Sequence, residues 1–266
     1  MPKKKIEDIE LYYETHGNGY PLIMIMGLSA NIDWWNPKFL KAMEKQYKIL
    51  IFDNRDAGRS DNISQPYRIK DLATDVVKLM NKLTIDKAHI LGISMGGMIA
   101  QELVLNYPDK VDKLVLASTN CGNPKSVLPS KKVLARLTQN WKGYAEAEII
   151  DEFIPLLYTD EFINNNPQTI EETKNRMLKA PITPEAYQRQ INAILQFNTG
   201  RRLKEITHPT LVLHGTEDIL LPPENGEIIA EEIPNAELKI FENIGHALFS
   251  HKNEKVPQAV LKFLRE

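Results

Sequence analysis

Hydrophobic positions in this chain fall into short continuous runs separated by stretches with a helical period. The runs at residues 22–26, 47–52, 88–93, 114–117, 211–213 and 238–241 are rich in Ile, Leu and Val and show little polar alternation. Such runs suit strands that are covered on both faces. Between them, residues 69–83 place Leu72, Val76, Leu79, Met80 and Leu83 on one face of a helix, and residues 38–46, 95–107 and 256–264 also read as helical. Strands alternating with helices predict an α/β architecture, a mostly parallel doubly wound sheet with right-handed crossovers. Residues 6–14 alternate instead, with Ile6, Ile9, Leu11 and Tyr13 among charged neighbours, and end at the turn signal Gly17-Asn18-Gly19. This predicts an antiparallel ribbon at the entry to the sheet.

The rhythm breaks between Asn123 and Glu205, where Pro124, Pro129, Pro155, Pro167, Pro181 and Pro184 cut the chain into short helical pieces. Phe153, Leu156, Leu157 and Phe162, and again Tyr187, Ile191, Ile194 and Leu195, recur at helical spacing with polar residues between them. Those faces must be buried against something, and the top of the sheet is the available surface. The expected division is a core domain of residues 1–122 and 206–266 with a helical cap inserted at 123–205.

Composition narrows the function classes. The 266 residues carry 33 Lys and Arg against 35 Asp and Glu, a net charge of -2, and contain no long block of like charge. A nucleic-acid partner is therefore not expected. The longest apolar run is about eight residues, at 21–28, short of the roughly 20 that a membrane span requires, and no secretory leader is visible. One cysteine, Cys121, excludes an intrachain disulfide and suits a reducing compartment; it reads as a small buried hydrophobe. These features together point to a soluble cytoplasmic protein, and they leave a homodimer open.

The chemistry centres on Gly92-Ile93-Ser94-Met95-Gly96, which joins the strand-like run 88–93 to a helix-like segment. A strand that ends in G-x-S-x-G and opens into a helix is a nucleophile elbow: the serine sits in a tight turn that flanking side chains would obstruct. Among the six histidines, His246 follows the last strand in a loop ahead of the closing helix, at the edge where Ser94 is also delivered. His251 is the second choice. His89 lies in a strand, His16 in a turn, and His208 just before Pro209, so these three read as structural or exposed. The segment Leu213-His214-Gly215-Thr216-Glu217-Asp218 supplies an acid after a strand, with Asp218 preferred to Glu217 as the group that orients the histidine. Trp34 and Trp35 either line a pocket or fix the helix at 38–46 to the sheet.

With the order Ser94, Asp218, His246 in place, the chain resembles the α/β-hydrolase fold serine hydrolases over nearly its whole length. It is similar in particular to small bacterial and archaeal esterases related to 3-oxoadipate enol-lactonase and aclacinomycin methylesterase. The matching stretches are residues 26–30, 52–61, 92–97 and 213–218, together with Gly245-His246. The resemblance implies an oxyanion hole made by the backbone N–H groups of Leu28 and Met95, with Gly27 beside the substrate. Two positions depart from the family's frequent pattern: Met26 stands where many relatives have histidine, and Asp56 where glycine is frequent. The Asp-rich and Arg-rich segment 53–61 is expected to brace the site.

The expected activity is hydrolysis of a small-molecule carboxylic ester of short to medium acyl chain, through an acyl-enzyme and without a metal or organic cofactor. Lactone opening, C–C bond hydrolysis, perhydrolysis and cleavage of small peptides by an aminopeptidase are alternatives on the same triad. A non-catalytic ligand-binding member of the fold is the alternative of another kind. An aminopeptidase would need an acidic cluster for the ammonium group, and Glu171, Glu172 and Glu185 are scattered.

Overall fold

A computed structural model describes residues 2–250 and 254–266. Within these residues eight strands run β1 (Lys3–Ile6), β2 (Ile9–His16), β3 (Tyr20–Ile25), β4 (Tyr47–Phe52), β5 (Ala88–Ile93), β6 (Val111–Ala117), β7 (Thr210–Gly215) and β8 (Ala236–Phe241). Among the described residues ten α-helices accompany them: α1 (Pro37–Glu44), α2 (Ile69–Lys82), α3 (Met95–Asn106), α4 (Lys131–Leu137), α5 (Glu146–Leu157), α6 (Asp160–Asn165), α7 (Pro167–Met177), α8 (Pro184–Leu195), α9 (Glu224–Glu232) and α10 (Lys255–Arg265). The strands form one sheet in the order β1-β2-β4-β3-β5-β6-β7-β8, antiparallel at β1, β2 and β4 and parallel from there on.

The continuous apolar runs are explained by burial on both faces. Within β3, Leu22 and Met24 belong to one core layer and Ile23 and Ile25 to the other. The same alternation divides Ile49 and Ile51 from Leu50 and Phe52 in β4. Helices α2, α3 and α9 cover the layer of Ile23, Ile25, Leu50 and Phe52, through residues such as Val76, Ile99 and Ile229, while α1 and α10 cover the layer of Leu22, Met24, Ile49 and Ile51 through Phe39, Met43 and Val260. Each fully buried Ile or Leu contributes about 2 kcal/mol relative to exposure, so the two layers anchor the strands firmly.

The entry ribbon is present, with two differences from the sequence expectation. A first strand precedes it at Lys3–Ile6, which the three consecutive lysines disguise, and His16 ends β2 instead of lying in the turn. Among the described residues no helix is long and apolar enough to cross a membrane.

Chain order reverses beside β3, with β4 placed on one side and β5 on the other. Such a switch point opens a crevice at the carboxyl ends of the two diverging strands. Five helices, α4 to α8, lie between β6 and β7 and stand over that crevice. The stems of this segment are tied together by an antiparallel bridge between Gly122 and Asn198 and by Thr199 N–H to Cys121 O at 2.8 Å. Leu203 and Ile206, beyond the second stem, are already part of the sheet's core. Asn225 of α9 also grips the outgoing chain, accepting from Val127 N–H and donating to Val127 O, each at 2.9 Å.

Candidate active site

Ser94 stands between β5 and α3 with φ +57° and ψ −123°, a conformation that L-residues adopt only where the surroundings enforce it. The enforcement is visible in its neighbours. A Cβ on Gly92 would come within 2.2 Å of Gly96 O, and one on Gly96 within 2.1 Å of Ile25 O. The chain can pass here only without side chains. Ser94 N–H donates to Ala117 O at 2.9 Å, and Thr119 Oγ1 donates to Ser94 O at 2.8 Å, so strand β6 and its loop fix the turn from the other side.

His246 and Asp218 arrive from the loops after β8 and β7. The imidazole Nδ1 lies 2.8 Å from Asp218 Oδ2, and both side chains are buried. Asp218 Oδ1 accepts from the backbone N–H of Leu220 at 3.0 Å and of Leu221 at 2.8 Å. Burial by itself would raise the carboxyl's pKa, but His246 and His214 facing it outweigh that and hold it well below the usual carboxylate range. An ionised carboxylate only accepts, so Nδ1 of His246 carries the proton and Nε2 is left to act as a base. Glu217, the rejected neighbour, is exposed.

His214 is a contact that sequence reasoning did not assign. Its Nε2 lies 2.8 Å from Leu221 O and 3.3 Å from Asp218 Oδ2, within a fully buried side chain. The spacing of four residues from Asp218 across a strand and turn was the available signal. Three other histidines stand apart from the site: His89 is buried in β5 with Nδ1 3.2 Å from Asp112, His16 contacts Glu14 at 3.0 Å, and His208 contacts Pro108 O at 3.0 Å. His251, the second choice for the base, lies outside the described residues.

Ser94 and His246 line one cavity of about 1030 Å³, counting its open mouth, beneath the helical segment. Gly27, Leu28, Trp34 and Trp35 line it too, and a Cβ on Gly27 would approach Ser94 Oγ to 3.4 Å. Met95 opens α3 and is fully buried, so its N–H belongs to the free first turn of a helix. The two tryptophans divide the two roles expected of them. Trp35 is buried against Phe39 and Phe249, with ring centroids 6.1 and 5.8 Å away, and only borders the cavity. Trp34 is half-buried and also lines a second, smaller cavity of about 510 Å³ among α5, α7 and α8.

The roof of the larger cavity is apolar, with Leu137, Phe153, Leu157, Met177, Ile191 and Ile194 from the helical segment. Among the described residues lining it there is no Asp, Glu, Lys or Arg. Glu171, Glu172 and Glu185 are exposed and outside that lining, so they make no ammonium site in it. Among the described residues no group of three His, Cys, Asp or Glu is placed to hold a metal ion.

The loop after β3 is braced by the segment 53–61, as its composition suggested. Asp53 Oδ1 accepts from Ile32 N–H at 2.7 Å and its Oδ2 from Arg59 N–H at 2.8 Å. Burial pushes the Asp53 carboxyl up to about 6 despite those two bonds. Asp56, at φ +67° and fully buried, takes a two-pronged ion pair from Arg189 of α8, at 2.7 and 3.0 Å. The residue that departs from the family's usual glycine is thus a mooring for the helical segment.

Comparison with known proteins places this geometry. A family model described as alpha/beta hydrolase fold matches residues 20–252. A Caulobacter sp. (strain K31) protein named as a carbamate hydrolase, RutD, is 28% identical, over 96% of this chain and 95% of its own length. The 3-oxoadipate enol-lactonase 2 of Acinetobacter baylyi is 26% identical, over 89% of this chain and 86% of its own. Among solved structures, a thermophilic esterase from Thermogutta terrifontis superposes with a TM-score of 0.86 at 26% identity, covering 100% of this chain and 98% of that one.

Proposed function

Since the chain belongs to the alpha/beta hydrolase fold family, we propose that it is a serine hydrolase that cleaves carboxylic esters through Ser94, His246 and Asp218. One observation carries the reading: Ser94, held in its tight turn, shares an uncharged cavity with a histidine whose far nitrogen is bonded to a buried acid. His246 Nε2 takes the proton of Ser94 as the hydroxyl oxygen attacks the ester carbonyl. The carbonyl oxygen becomes an oxyanion, which the backbone N–H groups of Leu28 and Met95 stabilise. His246 then gives its proton to the leaving alcohol, and a water activated by the same imidazole releases the acid. Asp218 holds the imidazole in its reactive tautomer and stabilises the cation that forms in each half-reaction.

Helices α4 to α8 act as a cap that shapes the acyl or alcohol pocket, and its apolar roof favours short to medium hydrocarbon groups. The likeness to an enol-lactonase favours lactone opening as the second reading on the same residues. A panel of p-nitrophenyl esters of increasing chain length, with lactones and a carbamate alongside, tests both. Esterase activity confined to the wild type and absent in Ser94→Ala supports the proposal. Turnover of lactones alone would select the second reading, and unchanged fluorophosphonate labelling of Ser94→Ala would remove Ser94 as the nucleophile.

A further inference from the structure

The loop that carries Leu28 is anchored at its ends by the sheet domain. Met26 O accepts from Asn54 Nδ2 at 3.2 Å, and Ile32 N–H donates to Asp53 Oδ1 at 2.7 Å. Its crest is held differently. Ser29, at φ +59°, gives its N–H to Oε1 of Gln190 at 2.8 Å, across 161 residues of sequence. Gln190 lies on α8 and is fully buried. Its Nε2 reaches towards Arg55 O at 3.5 Å, and the adjacent Arg189 is paired with Asp56. A second tie from the same side joins Asn31 Nδ2 to Ala180 O at 2.7 Å.

A peptide at positive φ is held in place by its hydrogen bonds, because the conformation is unfavourable for a residue with a side chain. Ser29 N–H is buried beside the peptide that presents the Leu28 N–H, so its acceptor fixes the direction of the neighbouring donor. An oxyanion donor acts only when aimed at the place where charge develops. We propose that Gln190 is a positioning residue for the oxyanion loop, so that seating of helix α8 sets transition-state stabilisation as well as pocket shape. The proposal rests on the serine-hydrolase reading above.

Gln190→Met keeps the volume and removes the acceptor, whereas Gln190→Glu restores an acceptor. The expected result for Gln190→Met is a kcat lower by about 10- to 100-fold with KM within about twofold. Inhibition by a trifluoromethyl ketone, whose adduct carries the oxyanion, should weaken by the same factor, and Gln190→Glu should recover most of both. An unchanged kcat and inhibition constant in a folded Gln190→Met protein overturns the proposal, as does a raised KM at normal kcat. Amide hydrogen exchange in the wild type gives a second measurement that needs no variant. Slow exchange at Ser29 supports the bond to Gln190, and exchange at the rate of an open loop overturns it. A wild type that fluorophosphonate does not label overturns the serine-hydrolase reading and this proposal with it; a labelled wild type with an unaffected variant overturns this proposal alone.

Discussion

Gly92, Gly96 and Gly97 belong to the turn that presents Ser94 at the floor of the cavity, and each has backbone or a β-branched side chain within 2.7 Å of where a Cβ would sit. On the roof, Trp141, Phe153, Tyr187 and Ile191 form a small cluster of their own. The helical segment meets the sheet domain through polar ties, Gln190 to Ser29, Arg189 to Asp56, Asn31 to Ala180 and Ala247 N–H to Leu157 O, and through apolar contacts with Leu28, Trp34 and Leu220 and, by way of Ala193 and Phe197, with the sheet's own core. The floor is built by exclusion, so its geometry has one solution. The roof is built by attachment, held by side-chain bonds and by apolar contacts that set its position while its lining can vary. On the serine-hydrolase reading proposed above, the reacting groups sit on the constant part and the apolar lining on the attached part.

Substitutions on the two sides should separate these modes. The largest effect belongs to the floor: Ser94→Ala should lower kcat/KM for esters by at least about 10⁴-fold while the thermal midpoint stays within a few degrees, as checked by steady-state kinetics and calorimetry. Asp218→Asn should reduce kcat by about 10³- to 10⁴-fold, because an amide cannot hold His246 in the same tautomer; turnover near the wild-type rate would break the assignment. Gly96→Ala should remove about 4 kcal/mol of folding stability in urea denaturation, since its new methyl would meet Ile25 O at 2.1 Å. On the roof, Arg189→Ala strips a buried Asp56 carboxylate of its two-pronged partner and should cost about 2–3 kcal/mol. A change below 0.5 kcal/mol there would mean that the roof is not moored through that pair.

An effect confined to acid pH lies away from both regions. Burial in β5 pushes His89 down to about 4, against about 6.5 for the free side chain. The neutral form is therefore the one that the fold accepts. Its share of stability is complete above pH 6.5 and is lost as the pH falls from 6.5 towards 4, by up to about 3 kcal/mol. His89→Gln should flatten that part of the stability curve, measured by denaturation at pH 7 and pH 4.5, and leave ester hydrolysis at pH 7.5 unchanged.

The same contrast accounts for what the sequence could reveal. Residues 47–52 and 88–93 read as strands with their final bounds, because burial on both faces leaves a continuous apolar run. The order of Ser94, Asp218 and His246 was legible because the loops that carry them begin at strand ends, and strand ends share one edge of a parallel sheet. Helix α9 was not read: it has few apolar positions and follows the pair Pro222-Pro223. The reach of Gln190 to Ser29 was hidden for another reason. Its spacing with Tyr187, Ile191 and Ile194 puts it on the buried face of α8, but no local rule says which backbone a buried amide will meet. Asp56 could be read as a brace, though not as the partner of a residue 133 positions away.

The bridge between Gly122 and Asn198 makes the helical segment, as far as the sheet is concerned, a single surface loop with touching ends. The entropy needed to close a loop grows only with the logarithm of its length. Helices can therefore be lengthened, deleted or exchanged between those two residues without pulling β6 away from β7. A foreign helical segment spliced into this chain at that bridge, with Arg189 and Gln190 retained, would thus meet the sheet as one closed module.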